Sequence, residues 1–373
     1  MVCNMETNIF SLRMEKIKKA MIEQGIDVFF VCPSSNLFYL SGYSVGADER
    51  LFLLVLPAKG EAFIIANLLY KQQVSPLPVK DQLYWKDGED PFSLLKSEIE
   101  NRNITVQTIA LEAQIPALFS IPLNSAFNKA QFVLGSSLID PLRQLKDESE
   151  LELIREACRQ SDAALVTLID KGTYWLGKTE AEFLQELSIE FGKRGLGFFG
   201  ASVQFGANAA IPHHITGGTK IEKGNCLLVD FWGRFNGYFT DCTRTFHFGK
   251  PQDEFEKIYR IVNEAQLAAE AKACVGNTLE DVDLAARSII EKNGYGEYFT
   301  HRTGHGLGID VHEGDSVNKG VKIPIEAGMV FSIEPGIYLP GCFGVRIENL
   351  VAVREKGTEI LHKYPRELII IDS

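Results

Sequence analysis

The sequence predicts two domains, an α/β domain over residues 1–142 and an α+β domain over residues 143–373, from three observations. A chain of 373 residues with 45% hydrophobic content has apolar surface enough for two independently packed cores. Short apolar runs bounded by Pro and Gly fill the first part, whereas in the second, strand-like runs are separated by blocks of helix, with a hairpin among them. Between the two, Asp140-Pro141-Leu142 reads as a break in structure ahead of an acidic helix start at residues 147–150, which puts the boundary near 140–148.

Taken in order, residues 11–25 read as an amphipathic helix, 28–32, 51–56 and 62–66 as short buried strands, and 104–111 and 131–134 as further strand-like runs. The helix opening the second part keeps Leu151, Ile154, Cys158, Leu165 and Ile169 near one face and stops at Gly172. Thr179-Glu180-Ala181-Glu182 is a capping box for the next helix, which buries Phe183, Leu187 and Phe191 and ends before Gly192. Two more helices are predicted over 251–275 and 278–292, and strands over 198–205, 226–232, 238–248, 329–338 and 345–353.

Composition narrows the function. The formal charge of −11 opposes binding to nucleic acid phosphates and anionic membranes. The longest apolar runs fall well short of the ~20 residues a membrane-spanning helix needs, and charged residues interrupt the N-terminus where a secretory signal would be apolar. A cytoplasmic protein is expected. Seven cysteines, odd in number and never in a CxxC pair, read as reduced packing residues.

The chemistry concentrates in the second domain. Asp230 follows Leu227-Leu228-Val229, and Asp241 follows the turn residues Asn236-Gly237, which places both on the arms of a β-hairpin. With the turn centred between Phe235 and Asn236 they are directly opposite, and a two-residue slip keeps them on one face. Carboxylates so placed repel and call for a cation. His305 lies in Thr303-Gly304-His305-Gly306-Leu307-Gly308, whose glycines argue for a loop that closely approaches a ligand or substrate, and against a helical His301/His305 zinc pair. Glu334 and Glu348 each emerge from an apolar strand, where a buried carboxylate is costly unless paired or metal-bound. Four acids and one imidazole suit Mn²⁺, Fe²⁺, Co²⁺ or Zn²⁺, and four negative charges suit two dications better than one. Arg346, two residues before Glu348, is placed to orient a ligating carboxylate.

Asp230 to Thr245, GHGLGIDVHE, IEPGIY and GVRIEN together resemble the creatinase-fold metallopeptidases, the Xaa-Pro dipeptidase and aminopeptidase P group. The resemblance implies a pita-bread catalytic domain behind a smaller creatinase-type α/β domain, a homodimer, short proline-containing peptides as substrates and two divalent ions, Mn²⁺ or Co²⁺ foremost. It implies that Asp230 binds one metal, that Asp241 and Glu348 bridge both, and that His305 with Glu334 completes the other. A bridging water or hydroxide then attacks the carbonyl before the prolyl nitrogen, Glu334 passes the proton, and His213 and His312 hold the carbonyl oxygen, with His214 as a neighbour. Aminopeptidase P action on longer peptides and a non-catalytic pita-bread interaction protein are the rival readings. Trp232 stands where relatives often carry glycine, and Ser316 where some dipeptide-cleaving relatives carry arginine. The missing arginine leads to an expectation that Xaa-Pro-Yaa peptides are tolerated, unless Arg302, Arg346 or a dimer partner supplies the charge.

Overall fold

The computed structural model describes residues 7–372, and Cys3 lies outside them. Two compact units divide the chain, Met1–Arg143 and Gln144–Ser373. In the first, six strands lie in the order Asp81–Trp85, Phe63–Asn67, Leu53–Pro57, Val28–Val31, Thr108–Leu111, Gln131–Leu134. Val28–Val31, Leu53–Pro57 and Phe63–Asn67 pair antiparallel, and the other neighbours are parallel. All residues of Val28–Val31 are buried, as a strand covered on both faces requires, which explains its uninterrupted apolar sequence.

Asp81–Trp85 and the helices Ser35–Ser41, Pro91–Asn101 and Ala117–Ala126 had no counterpart in the sequence reading, because their apolar residues are too few or too short in run to show a period. Pro141 does not break the chain. The helix Ser136–Gln144 runs through it, and burial of Leu138, Ile139 and Arg143 offsets the one hydrogen bond that proline cannot donate.

The second unit is built from a four-stranded sheet and a bent hairpin, with a pair of helices packed against each. The sheet order is Ile370–Ile371, Tyr238–Phe248, Cys226–Phe235, Gly197–Phe205. Helices Glu148–Ile169 and Glu180–Lys193 pack Leu165, Leu168, Phe183 and Leu187 against Leu227, Val229 and Phe231. Each helix opens on a capping box, Asp147 with Glu150 and Thr179 with Glu182, and such a cap contributes about 1 kcal/mol. The second helix continues one residue past Gly192, ending at Lys193. Helices Asp253–Lys272 and Leu279–Lys292 cover Phe331, Ile333, Ile337, Val345 and Val351 of the bent hairpin.

That hairpin corrects the reading of 329–338 and 345–353 as continuous strands. Val330–Ile333 pairs with Asn349–Val353, and Gly336–Leu339 with Phe343–Arg346, in two separate sheets. One register runs through the interruption, from Ile333↔Asn349 to Gly336↔Arg346, so the break falls at Glu334-Pro335 on one arm and Ile347-Glu348 on the other. Pro335 has no N–H for the ladder, which favours the break at this level. No helix among the described residues is long and apolar enough to cross a membrane.

Candidate active site

Period-two alternation supplies the site's floor. The odd residues Leu227, Val229 and Phe231 face the helices, so Asp230 and Trp232 project from the opposite face of the sheet. Asn236 and Gly237 form the two-residue turn with φ of 46° and 99°, and Phe235 pairs with Tyr238. Asp230 therefore lies across from Thr243, and Asp241 across from Trp232. The register is the two-residue slip from direct opposition, and both aspartates keep one face.

The bent hairpin brings the glutamates to this floor. Freed from the ladder, the Glu348 N–H donates to Thr243 O at 3.1 Å and the Glu334 N–H to Thr303 O at 2.8 Å, which ties the two breaks to the floor strand and to the histidine loop. Gly304–His305, expected as loop, is a two-residue strand paired antiparallel with Ser316–Val317, and the His305 N–H donates to Ser332 Oγ at 3.1 Å. The loop's glycines admit protein rather than a ligand: a Cβ at Gly304 would strike Ser332 O, and one at Gly306 or Gly308 would strike Glu313. Glu313 in turn accepts from Ile309 N and Asp310 N and pairs with buried Lys146 at 2.9 Å, which pins the 305–313 loop.

The resulting cluster is deficient in positive charge. Ligand atoms of Asp241, His305 and Glu348 all lie within 4.8 Å of one another, and the three residues are buried. His305 Nδ1 faces Gly306 O at 3.1 Å, so it carries the proton and Nε2 presents a lone pair. That lone pair faces Asp241 Oδ2 at 3.6 Å and Glu334 Oε1 at 3.4 Å. Burial pushes the His305 pKa down to about 3, which keeps the ring neutral. Burial, then the charge of Asp230, raises Glu348 to about 7, and burial with neighbouring carboxylates raises Asp241 and Glu334 well above the usual range. Glu348 Oε2 accepts from Thr243 Oγ1 at 2.8 Å, but buried Oε1 has no partner. An orphaned carboxylate oxygen and a bare imidazole nitrogen aimed at carboxylates fit a cation-binding site for divalent metal.

A cavity of about 910 Å³ opens over this cluster, lined also by His213, His214, His301, Arg302, His312 and Arg346. Arg346 donates from Nη2 to Asp230 Oδ2 and from Nη1 to the Tyr338 hydroxyl, both at 2.8 Å, and from Nε to Thr243 Oγ1 at 3.1 Å. Its charge is thus committed to Asp230. His312 packs edge to face on His305 with ring centroids 4.1 Å apart, and burial and the Arg302 charge lower its pKa. His213 is exposed at the cavity wall. His214 is turned onto Glu180, Nε2 to Oε2 at 2.9 Å, and that fully buried carboxylate also takes Phe205 N, Asn208 Nδ2 and Gly217 N. His214 is a strut for the 206–217 loop rather than a group aimed at the cluster.

Tyr338 and Glu180 escaped sequence reasoning, whereas Arg302 was among the residues considered there for the carboxylate-binding charge. Tyr338 bridges Arg346 and His301, whose Nε2 accepts from its hydroxyl at 2.8 Å because Nδ1 donates to Arg302 O. Arg302 lines the cavity and donates from Nη1 to Ser316 Oγ at 2.8 Å. Glu180 passed as a helix-start acid of the capping box, and only its burial distinguishes it.

With this geometry in view the class is plain. Residues 152–355 match metallopeptidase family M24 and residues 13–145 match the creatinase/prolidase N-terminal domain. The chain belongs to family M24: it is a peptidase of the prolidase and Xaa-Pro dipeptidase-like kind, with a creatinase-type α/β domain followed by the pita-bread domain. It is 36% identical to a prolidase from Thermococcus sibiricus whose structure superposes with a TM-score of 0.92, covering 98% of this chain and 100% of that one. An X-Pro aminopeptidase from Thermotoga maritima is 31% identical, with a TM-score of 0.82 over 93% of this chain and 98% of that one. An uncharacterized peptidase from Staphylococcus haemolyticus is 36% identical over 364 residues, 95% of this chain and 99% of the relative.

Proposed function

We propose that this protein hydrolyses the peptide bond before proline in Xaa-Pro dipeptides, using two divalent metal ions, Mn²⁺ foremost with Co²⁺, Fe²⁺ and Zn²⁺ as alternatives. The observation that carries the reading is the bare Nε2 of His305 facing Asp241 and Glu334 beside the partnerless Glu348 Oε1. Asp230 would hold one ion with the oxygen that Arg346 leaves free, Asp241 and Glu348 would be shared, and His305 with Glu334 would hold the other. Bound metal supplies an activated water and polarises the scissile carbonyl.

The chain's own groups do the rest. Glu334, with 17% of its side chain exposed, is the acid best placed to carry a proton to the departing prolyl nitrogen. His312 and His213 donate to the carbonyl oxygen as it gains charge. Arg346 orients Asp230 through its Nη2 hydrogen bond to Oδ2. Arg302 supplies the cation that Ser316 lacks, because its guanidinium reaches the Ser316 hydroxyl and lines the same cavity. It would take the free carboxylate of the C-terminal proline.

Similarity to the X-Pro aminopeptidase from Thermotoga maritima supports a second reading, removal of the first residue from longer Xaa-Pro peptides. A homodimer is part of the proposal, on the resemblance to the creatinase-fold peptidases alone. So is a reducing, cytoplasmic setting, in keeping with buried Cys32 and Cys226, whose thiols burial raises to about 12. The test is kcat/KM for Ala-Pro against Ala-Pro-Ala in metal-reconstituted wild type and Arg302→Met. A carboxylate clamp at Arg302 is expected to favour the dipeptide and to lose ~10–100-fold on it in the variant, the range of one charge-assisted contact of ~1.5–3 kcal/mol. Equal values for both peptides in both proteins would favour the aminopeptidase reading.

A further inference from the structure

The cavity has two chemically different ends. Along the floor hairpin, Arg346 bonds Asp230, Thr243 and Tyr338, with His301 beyond, on the side away from the turn. Thr245, farther still from the turn, accepts from the Arg346 N–H. Trp232 lies on the other side. It is two residues nearer the turn than Asp230, on the same face, and directly across the ladder from Asp241. The cavity lining also includes the apolar residues Leu184, Ala201 and Ile215.

The indole is seated by a glycine. Gly200 pairs with Trp232 on the neighbouring strand, just after a register irregularity at Phe198/Gly200. A Cβ on Gly200 would come within 2.7 Å of Trp232 Cζ2, closer than carbon atoms approach, and within a tight 3.1 Å of Cε2. The missing side chain lets the ring lie down against the sheet, and any atom added there lifts it into the cavity.

We infer that Trp232 is the specificity-determining wall for the residue before proline, admitting small and medium apolar side chains and excluding large or charged ones. The inference rests on the proposed dipeptidase reading. With the proline carboxylate at Arg302 and the scissile carbonyl over the acidic cluster, the first residue of the substrate reaches the end walled by Trp232. Its side chain meets the indole, which cannot pair a buried charge. A bulky aromatic side chain meets a ring that Gly200 has already let back as far as the sheet allows.

The test is a set of kcat/KM ratios in metal-loaded wild type, Trp232→Ala and Gly200→Ala, with Ala, Leu, Phe and Asp before proline, in both Xaa-Pro and Xaa-Pro-Ala. A ratio between two substrates does not depend on the fraction of active enzyme, so partial misfolding of a variant leaves it readable. Wild type is expected to favour Ala and Leu over Phe and Asp. Trp232→Ala should raise the Phe:Ala ratio at least ~10-fold, the lower range for pocket discrimination by apolar groups, and Gly200→Ala should lower it. Cleavage with a Phe:Ala ratio indifferent to both variants, or a wild-type preference for Asp, would overturn this inference alone. Failure of the metal-loaded wild type to cleave either series would overturn the peptidase reading and this inference with it.

Discussion

Every residue of Tyr238–Phe248 is buried, yet its two faces hold charge in opposite ways. The back face carries Arg244, whose guanidinium donates to the carbonyls of Thr243, Glu348, Tyr364 and Pro365 and to Asn349 Oδ1. Beside it Asp162 accepts from His362 Nδ1 at 2.7 Å and from the N–H groups of Lys363 and Tyr364. Burial alone would raise the Asp162 pKa, but the His362 charge and hydrogen bond, the Lys363 N–H and the Arg244 charge together outweigh burial and lower it. The front face carries Asp241, surrounded by carboxylates and a neutral imidazole. Buried charge whose partners are built into the chain is architecture; buried charge whose partners are missing marks where something from outside binds.

The comparison breaks most sharply at Glu348. Replacing it by alanine removes a carboxylate from the front face, so Glu348→Ala is expected to lose metal binding and at least ~10³-fold in turnover, with the metal-free fold no less stable because a repulsion is relieved. Isothermal titration with Mn²⁺ and a thermal melt of the chelated protein check both halves. On the back face the signs reverse. Asp162→Ala strands the His362 imidazole without its counter-charge and is expected to destabilise the fold by about 3–5 kcal/mol while leaving the metal stoichiometry unchanged. Denaturant unfolding beside a metal count separates the outcomes, and a loss of metal without a loss of stability would contradict the division between faces.

A smaller effect follows from proton linkage in the chelated protein. Folding raises the carboxyl pKa values of Asp241, Glu334 and Glu348, the last from 4.5 to about 7, so the folded state binds protons more tightly than the unfolded chain. That stabilisation is full below the ordinary carboxylate range and is lost as pH rises through the folded values. The lowered pKa values of His301, His305 and His312 act the other way up to their ordinary value of 6.5, so the melting temperature of the metal-free protein should fall only as pH rises beyond about 6.5. Saturating Mn²⁺ should remove most of that slope, since the ions replace the protons.

How much of this was legible in sequence depended on whether the signal was local. Asn236-Gly237 between apolar runs announces the hairpin, and period two then puts Asp230 and Asp241 on one face. Glu334 and Glu348 stand out as acids in apolar stretches, but the reading took them as strand residues. Their shared break depends on pairing between segments some fifteen residues apart, which no local pattern reveals. The glycines of the His305 loop signalled a close approach correctly and misidentified what approaches, because Ser332 and Glu313 arrive from elsewhere in the chain. His214 and Glu180 are likewise joined only by the fold.

The account stands or falls on the front face being a two-metal site. The most direct measurement is a titration of rigorously metal-free protein with Mn²⁺, following Ala-Pro hydrolysis as equivalents are added. No activity at zero metal and a plateau reached at two equivalents is the expected result. Full activity in the metal-free protein would contradict it.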